Sequence, residues 1–434
     1  MSLDDSNYLK TMFIDEAKKA LLVSRGGESV PVSGWVRPSE WPAQPKGWKD
    51  EACAYLLIDC TGEFAYLHLK NFSGNAYMGT TAADGTFVAD SDEPIALVNG
   101  RVRLKDEDFG NRDYCWIKIV PSNGNSLSIL GFEYADSQGL YSQLNTWVEH
   151  LTANVAGAFS KWESINIVHV HAFNCSLTDL GNVAYTCQRL RKFEVENCTV
   201  NGSVYRAFSG CPVLEEVSFK GTTVTTSNMS NTIFAGCSSL REIDLSGFTY
   251  TGNGTVDILG GNLFNLKRIN LDGFTVTGSV TNTAIIMSYA RSLENIDLSI
   301  YANAPISKIS MDRLSSIREL SFPSNNWALT IFSLRETQNL ETLDVSNIDF
   351  TNVKNLSSGE LWGLRKLMHC SAINANVSID MKDSVLLTHE SLMNIINGLP
   401  TVETAQTLTV GTVNTAKLTE NEIAIATAKG WTVA

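Results

Sequence analysis

The 434-residue sequence has no run of eighteen apolar residues, so no transmembrane helix is read from it. Its start, Met1-Ser2-Leu3-Asp4-Asp5, lacks the basic and apolar regions of a secretory signal. Export by another route, removal of a leader or release by lysis all remain open. Positive charge is scarce: 33 Lys and Arg stand against 46 Asp and Glu, a net charge of −13. Such a surface repels phosphate backbones, which argues against nucleic acid as a partner. No Gly-x-Ser-x-Gly elbow, His-Glu-x-x-His, P-loop or dinucleotide fingerprint occurs. Asp90-Ser91-Asp92-Glu93 has ligand-like residues, but no EF-hand glycine or closing glutamate follows, so an exposed loop is expected.

What is present is a foldable composition, with 44% hydrophobic and 18% charged residues. The length exceeds one compact core, so several domains or an array are expected. An apolar-x-x-apolar-x-apolar unit recurs. It appears at Ile165/Val168/Val170, Leu190/Phe193/Val195, Leu214/Val217/Phe219, Leu240/Ile243/Leu245 and Leu266/Ile269/Leu271. It continues at Leu293/Ile296/Leu298, Ile317/Leu320/Phe322, Leu340/Leu343/Val345 and Leu364/Leu367/His369, where the histidine breaks it. The first positions lie 25, 24, 26, 26, 27, 24, 23 and 24 residues apart. That pattern and period are the signature of leucine-rich repeats. The last two apolar residues alternate with a mostly polar one, as on a strand with one buried face. One unit cannot bury that face alone, but stacked units bury a continuous core under a parallel sheet.

The nine cysteines are an odd number, so at least one cannot pair within the chain. Cys187, Cys211 and Cys237 recur three residues before a repeat leucine, which favours buried small hydrophobes over ligands. The position eight after the first leucine holds Phe173, Cys198, Thr222, Phe248, Phe274, Tyr301, Asn325, Ile348 and Ala372. Aromatic rings there are expected to stack inside the coil. The residue after the first apolar position runs Asn166, Arg191, Glu215, Arg241, Lys267, Glu294, Arg318, Glu341, Arg365. This predicts a charge ladder between turns, at roughly 0.2–1 kcal/mol per pair. Only the Arg241–Lys267 step joins like charges, so Arg241 and Lys267 are the candidate partner contact. Asp244, Asn270 and Asp297 occupy the polar position between the last two apolar residues and complete the candidate binding strip. His169 and His171 share one strand face, without a third metal ligand nearby in sequence. No catalytic, cofactor or metal residue is assigned.

The segments Phe234-Ala235-Gly236-Cys237-Ser238-Ser239-Leu240-Arg241-Glu242-Ile243-Asp244-Leu245-Ser246 and Phe208-Ser209-Gly210-Cys211-Pro212-Val213-Leu214 resemble BspA-like leucine-rich-repeat proteins. The resemblance covers roughly the last 270 residues and implies a binding surface of the kind found on gut and oral bacteria and their phages. Thr388 is expected to N-cap a helix, and residues 386–434 to form a closing cap.

The first 25 residues have helical spacing through Leu9, Met12, Phe13, Ala17, Leu21 and Leu22. A Trp- and Pro-rich loop follows, from Trp35 to Trp48. Strand-like runs at Cys53–Cys60, Phe64–Leu69, Ile95–Val98, Val102–Leu104, Tyr114–Val120 and Ser126–Phe132 suggest a β-sandwich-like domain over 26–140. Residues 141–385 are then the solenoid, entered by a capping helix from Tyr141 to Phe159. Trp35-Val36-Arg37-Pro38-Ser39-Glu40-Trp41 and Cys115-Trp116-Ile117-Lys118-Ile119-Val120-Pro121 look similar to N-terminal domains of phage tail or fibre proteins. Those often carry Trp-Gly-Asp-Gly, where this chain has Ala83-Asp84-Gly85.

The expected fold is therefore α+β: a β-sandwich-like domain, a leucine-rich-repeat solenoid with a parallel sheet, and a helical C-terminal cap. The expected function is a non-enzymatic virion component presenting the repeats to a host-surface glycan or protein. Its first domain would attach to other virion proteins, and homo-oligomers would suit a fibre. No cofactor and no membrane insertion are expected. The alternatives are a bacterial surface adhesin, or a glycan-active enzyme whose repeats only target it.

Overall fold

The computed structural model describes the backbone of residues 11–15, 20–25, 28–31, 42–59, 66–69, 74–98, 101–103, 112, 114–122, 129–135, 141–142, 147–153, 168–177, 179–225, 233–252, 254–256, 263–277, 280–299, 306–325 and 327–434. It is built mostly of strands in several sheets, many of them parallel, with few helices. Two compact units are present, Met1–Val155 with Ile165–Val168, and Ala156–Ser164 with His169–Ala434.

In the first unit the described residues of the stretch 1–25, expected to be helical, are strand. Thr11–Asp15, Ala20–Arg25 and Glu28–Pro31 make an antiparallel sheet instead. Its register sets Met12 opposite Val23, Phe13 opposite Leu22 and Ile14 opposite Leu21. Two short apolar runs do not by themselves distinguish helix from strand, and cross-strand apolar pairs with β-branched Ile14, Val23 and Val30 favour the strand. The Trp- and Pro-rich loop falls outside the described residues as far as Trp41. Beyond it, Trp48 opens a short 3-10 turn and is buried.

Strands form at each of the six sites expected in this unit, with shifted ends. The main sheet runs Trp147–Ala153, Ala54–Asp59, Tyr114–Pro121, Gly74–Thr81, Phe87–Ala89, all antiparallel. A second antiparallel sheet runs Tyr141–Ser142, Ile129–Ala135, Tyr66–Leu69, Arg101–Arg103, Leu97–Val98. Where the capping helix is expected from Tyr141 to Phe159, the described residues form two strands, with 143–146 and 154–159 outside the described residues. Trp147, Val148 and Thr152 suit a strand, and the central strand Ala54–Asp59 offers an edge for it. The first unit therefore extends past residue 140 to Val155. The core holds Tyr55, Leu56, Leu57, Trp116, Ile117 and Ile119. Ala83-Asp84-Gly85 is a hairpin turn: Gly85 has φ +85°, and Asp84 accepts from the Thr86 N–H at 3.0 Å.

The second unit carries parallel strands one repeat apart. His169–Phe173, Lys192–Glu196, Glu216–Ser218, Glu242–Asp244 and Arg268–Asn270 pair in that order. A second parallel sheet runs Ser176–Leu177, Thr199–Val200, Thr223–Val224, Thr249–Tyr250, Thr275–Val276. Residues 291–298 form no ladder with Arg268–Asn270, and the first face resumes at Glu319–Ser321, Thr342–Asp344 and His369–Cys370.

Two registers differ from the sequence pattern. Val170 pairs with Phe193 and Ala172 with Val195, so the first unit reads Ile167/Val170/Ala172. At the other end Leu343 pairs with Cys370, so the last unit begins at Leu367 and not at Leu364. The histidine that seemed to break the pattern is an outward residue of that strand. Both slips have one cause: Ala172 and Cys370 fill core positions, buried to 0% and 3% exposure, with side chains too small to mark them.

The interior combines packing with bonds between turns. Phe248 and Phe274 stack at 5.4 Å, as their repeat position suggests, and Phe208 and Phe234, at a different repeat position, stack at 5.7 Å. Cys211 Sγ donates to the Ala184 carbonyl at 2.9 Å and Cys237 Sγ to that of Phe208 at 3.1 Å. These thiols fill volume and also tie one turn to the previous one. With the corrected register Cys175, Cys198 and Thr222 form one column. The Cys175 N–H donates to Cys198 Sγ, and the Cys198 N–H to Thr222 Oγ1, each at 3.2 Å.

The helix N-cap expected at Thr388 is present. Thr388 accepts from the Ser391 N–H and N-caps helix α1, His389–Gly398. Leu387 is buried, and the Thr388 N–H bonds the Met368 carbonyl as a further strand would. The helix then replaces that strand, and Ser391 Oγ accepts the edge N–H of Cys370 at 3.1 Å. Helix α2, Thr412–Thr415, and helix α3, Glu420–Ala428, follow, the latter opened by a Thr419/Glu422 capping box. The parallel strands Ile379–Asp380, Gln406–Thr409 and Trp431–Val433 complete the cap.

Candidate functional site

The outward side chains of the first parallel sheet form columns, because strand neighbours repeat in register. One column is His169, Lys192, Glu216, Glu242, Arg268, and the next is His171, Glu194, Ser218, Asp244, Asn270. The charges pair within and across the columns. His169 Nε2 lies 2.7 Å from Glu194, and His171 Nε2 lies 3.2 Å from Glu196. Lys192 Nζ meets Glu194 at 3.2 Å and Glu216 at 3.1 Å, and Arg268 meets Glu242 at 2.5 Å. Burial pushes the Glu194 carboxyl up, but His169, His171 and Lys192 together outweigh it and hold it down at about 2.

Three clefts meet on this face. One of 280 Å³ reaches from His171 and Lys192 to Asp244, one of 490 Å³ lies between Glu242 and Asn270, and one of 510 Å³ reaches Lys267 and Ser292. Glu242 lines all three. A further cleft of 640 Å³ is lined by Glu294, Arg318, Glu319 and Asn339.

The sequence-derived candidates fall around these clefts unequally. Asp244 and Asn270 line the 490 Å³ cleft and Lys267 the 510 Å³ one. Arg241 and Lys267 are exposed, and neither forms an ion pair among the described residues. Asp244, Asn270 and Asp297 each turn a side-chain oxygen onto the N–H two residues ahead, at 2.9, 3.1 and 2.8 Å. Asp244 and Asn270 thereby close the ends of their strands, and Asp297 closes a turn outside any strand. That bond holds the Asp297 carboxyl below its ordinary range.

The expected ladder is real at Arg191–Glu215, 2.8 Å, and Arg318–Glu341, 3.1 Å. Its ends are not: Asn166 lies outside the described residues, Val168 and Met368 take the terminal places, and Arg365 sits elsewhere, near Glu336. The histidines found in sequence gain Glu194 and Glu196 as partners. The 25-residue spacing of the sequence already sets His169 against Glu194 and His171 against Glu196, and the observed register turns these facing pairs into diagonal ones. Among the described residues no group of three or more His, Cys, Asp or Glu is placed to hold a metal ion.

In the first unit Lys118 Nζ pairs with Glu51 at 2.5 Å and lies 5.4 Å over the Tyr55 ring. Burial, with Glu51 nearby, pushes the Cys53 thiol up to about 12, which makes it a poor nucleophile.

No protein-family model matches this chain, and no curated protein sequence matches it.

Proposed function

We propose that the chain is a non-enzymatic recognition protein whose repeats form a leucine-rich-repeat solenoid, presenting the first parallel sheet to a partner. The observation that carries this reading is the junction of three clefts at Glu242, on strands whose polar side chains are held by mutual pairs. Parallel pairing one repeat apart supports the solenoid. The main and second antiparallel sheets, two of the three in the first unit, support a β-sandwich-like attachment domain. Side chains held in place lose little entropy on binding, and exposed Arg241 and Lys267 add charge beside the clefts.

The resemblance to BspA-like repeats and to phage tail or fibre domains supports placement in a virion. There the first unit meets other virion proteins and the repeats meet a host-surface glycan or protein. A bacterial surface adhesin is the second reading, favoured by the same repeat resemblance, and capsid and tail genes beside the gene would decide against it. The test is capture of surface extracts from gut bacteria by the immobilised full chain. Arg241→Glu with Lys267→Glu is expected to abolish capture, whereas unchanged capture moves the contact off this face. Glycan hydrolysis by the full chain would replace the binding reading with an enzymatic one.

A further inference from the structure

A second surface lies outside the strand face. Among the described residues, the position four before a leading apolar residue takes the left-handed backbone conformation: φ is +79° at Gly210, +81° at Gly236 and +80° at Gly363. Tyr289, Arg313 and Glu336 hold the same place at +65°, +60° and +55°. Side chains are strained there, and such strain collects at ligand clamps. These three do not sit idle. The Arg313 guanidinium lies 4.5 Å over the Tyr289 ring, and its Nε and Nη2 meet Glu336 at 2.7 and 3.2 Å. Arg291 lies 5.5 Å over Phe264 and 5.8 Å over Tyr289, whose rings meet edge to face at 5.8 Å. Arg365, two residues past Gly363, contributes to the field on Glu336 together with Arg291.

The ridge therefore gathers Arg291, Arg313 and Arg365 around one carboxylate, on a chain whose net charge is −13. Arg291 and Arg365 are exposed and have no ion pair among the described residues. Two large rings stand open beside them, Phe264 at 37% and Trp362 at 47% exposure.

We infer that this ridge binds a carboxylated oligosaccharide, with Arg291 and Arg365 taking sugar carboxylates and Phe264 and Trp362 taking the apolar C–H faces of pyranose rings. A guanidinium matches a carboxylate in a two-bond fork, and Arg291 already rests over the adjoining Phe264 and Tyr289 rings, which reduces the entropy lost on binding. Glu336 occupies Arg313 and leaves the flanking arginines for the ligand. An acidic peptide offers no flat apolar face to the rings. A densely charged polyphosphate is opposed by the acidic remainder of the chain.

This goes beyond the proposed strand-face function and stands on separate residues. Calorimetric titration of the full chain with oligogalacturonate, a hyaluronan oligosaccharide and a neutral glucose oligomer tests it. The two carboxylated probes are expected to bind, weakening with salt, and the neutral one is not. Arg291→Gln with Arg365→Gln is expected to weaken binding at least tenfold, with unchanged circular dichroism and melting. The corresponding lysine pair recovers part of it. Lys46→Gln, an exposed residue of the first unit outside both surfaces, leaves it unchanged. Failure of both carboxylated probes, or wild-type affinity in the glutamine pair, overturns the inference. So does polyglutamate binding as tightly as oligogalacturonate, which assigns the ridge to an acidic peptide.

Discussion

Cys211 and Thr337 make the same hydrogen bond in different repeats. Cys211 Sγ donates to the Ala184 carbonyl at 2.9 Å, and Thr337 Oγ1 to that of Met311 at 3.2 Å. Each stands three residues before its leading leucine, Leu214 or Leu340, and both are fully buried. The repeat thus asks for a small donor at this place, and cysteine is one way to supply it.

Replacement of Cys211 by threonine should accordingly be tolerated. Cys211→Val keeps the shape but leaves the Ala184 carbonyl without this donor. It should cost about 1 kcal/mol more than Cys211→Thr in urea unfolding. Equal stability of the two variants would reduce the thiol to a filler. In the folded wild type, burial pushes the Cys211 thiol up to about 12, so iodoacetamide at pH 8 should leave it unmodified.

Acid should weaken the first turns through Glu194. Its folded value is about 2 against an ordinary 4.5, so the unfolded chain binds the proton more readily. The stability it contributes is complete above the ordinary value and is lost as pH falls through about 2. Melting curves between pH 6 and 2 should therefore be flatter for Glu194→Gln than for wild type. Parallel curves would show that the carboxylate pairing with His169 and Lys192 carries no stability.

The cap should depend on one hydroxyl. Ser391 Oγ accepts the Cys370 N–H at 3.1 Å and donates to the Met368 carbonyl at 3.0 Å. Ser391→Ala leaves a buried edge N–H without its partner, at a cost of about 1–3 kcal/mol. Hydrogen exchange at the Cys370 amide should accelerate in that variant more than at Leu408 in the closing sheet. Uniform acceleration would indicate a general loss of packing instead.

The middle of the repeat was legible because Leu, Ile, Val and Phe mark its core positions. The ends were not, because Ala172 and Cys370 mark theirs weakly. A slip of two residues at the first repeat moves His169 from the Glu194 column to the Lys192 column, which turns the His–Glu pairs from facing neighbours into diagonal ones. Thr388 announced its helix through a local cap that needs no tertiary partner. Trp147–Ala153 did not announce its strand, since the edge it joins, Ala54–Asp59, lies far away in sequence. Leu21, Leu22 and Val23 read as helix only while Phe13 and Ile14 were not known to pair with them.

Covalent labelling with and without a bound partner tests the recognition reading most directly. Lys267 would be acetylated and Glu242 coupled by carbodiimide on the full chain, before and after saturation with bacterial surface extract. The account predicts that both are shielded in the complex, while Lys366 and Glu403, off this cleft junction, label equally in both states. Unchanged labelling of Lys267 and Glu242 in a saturated complex would contradict it.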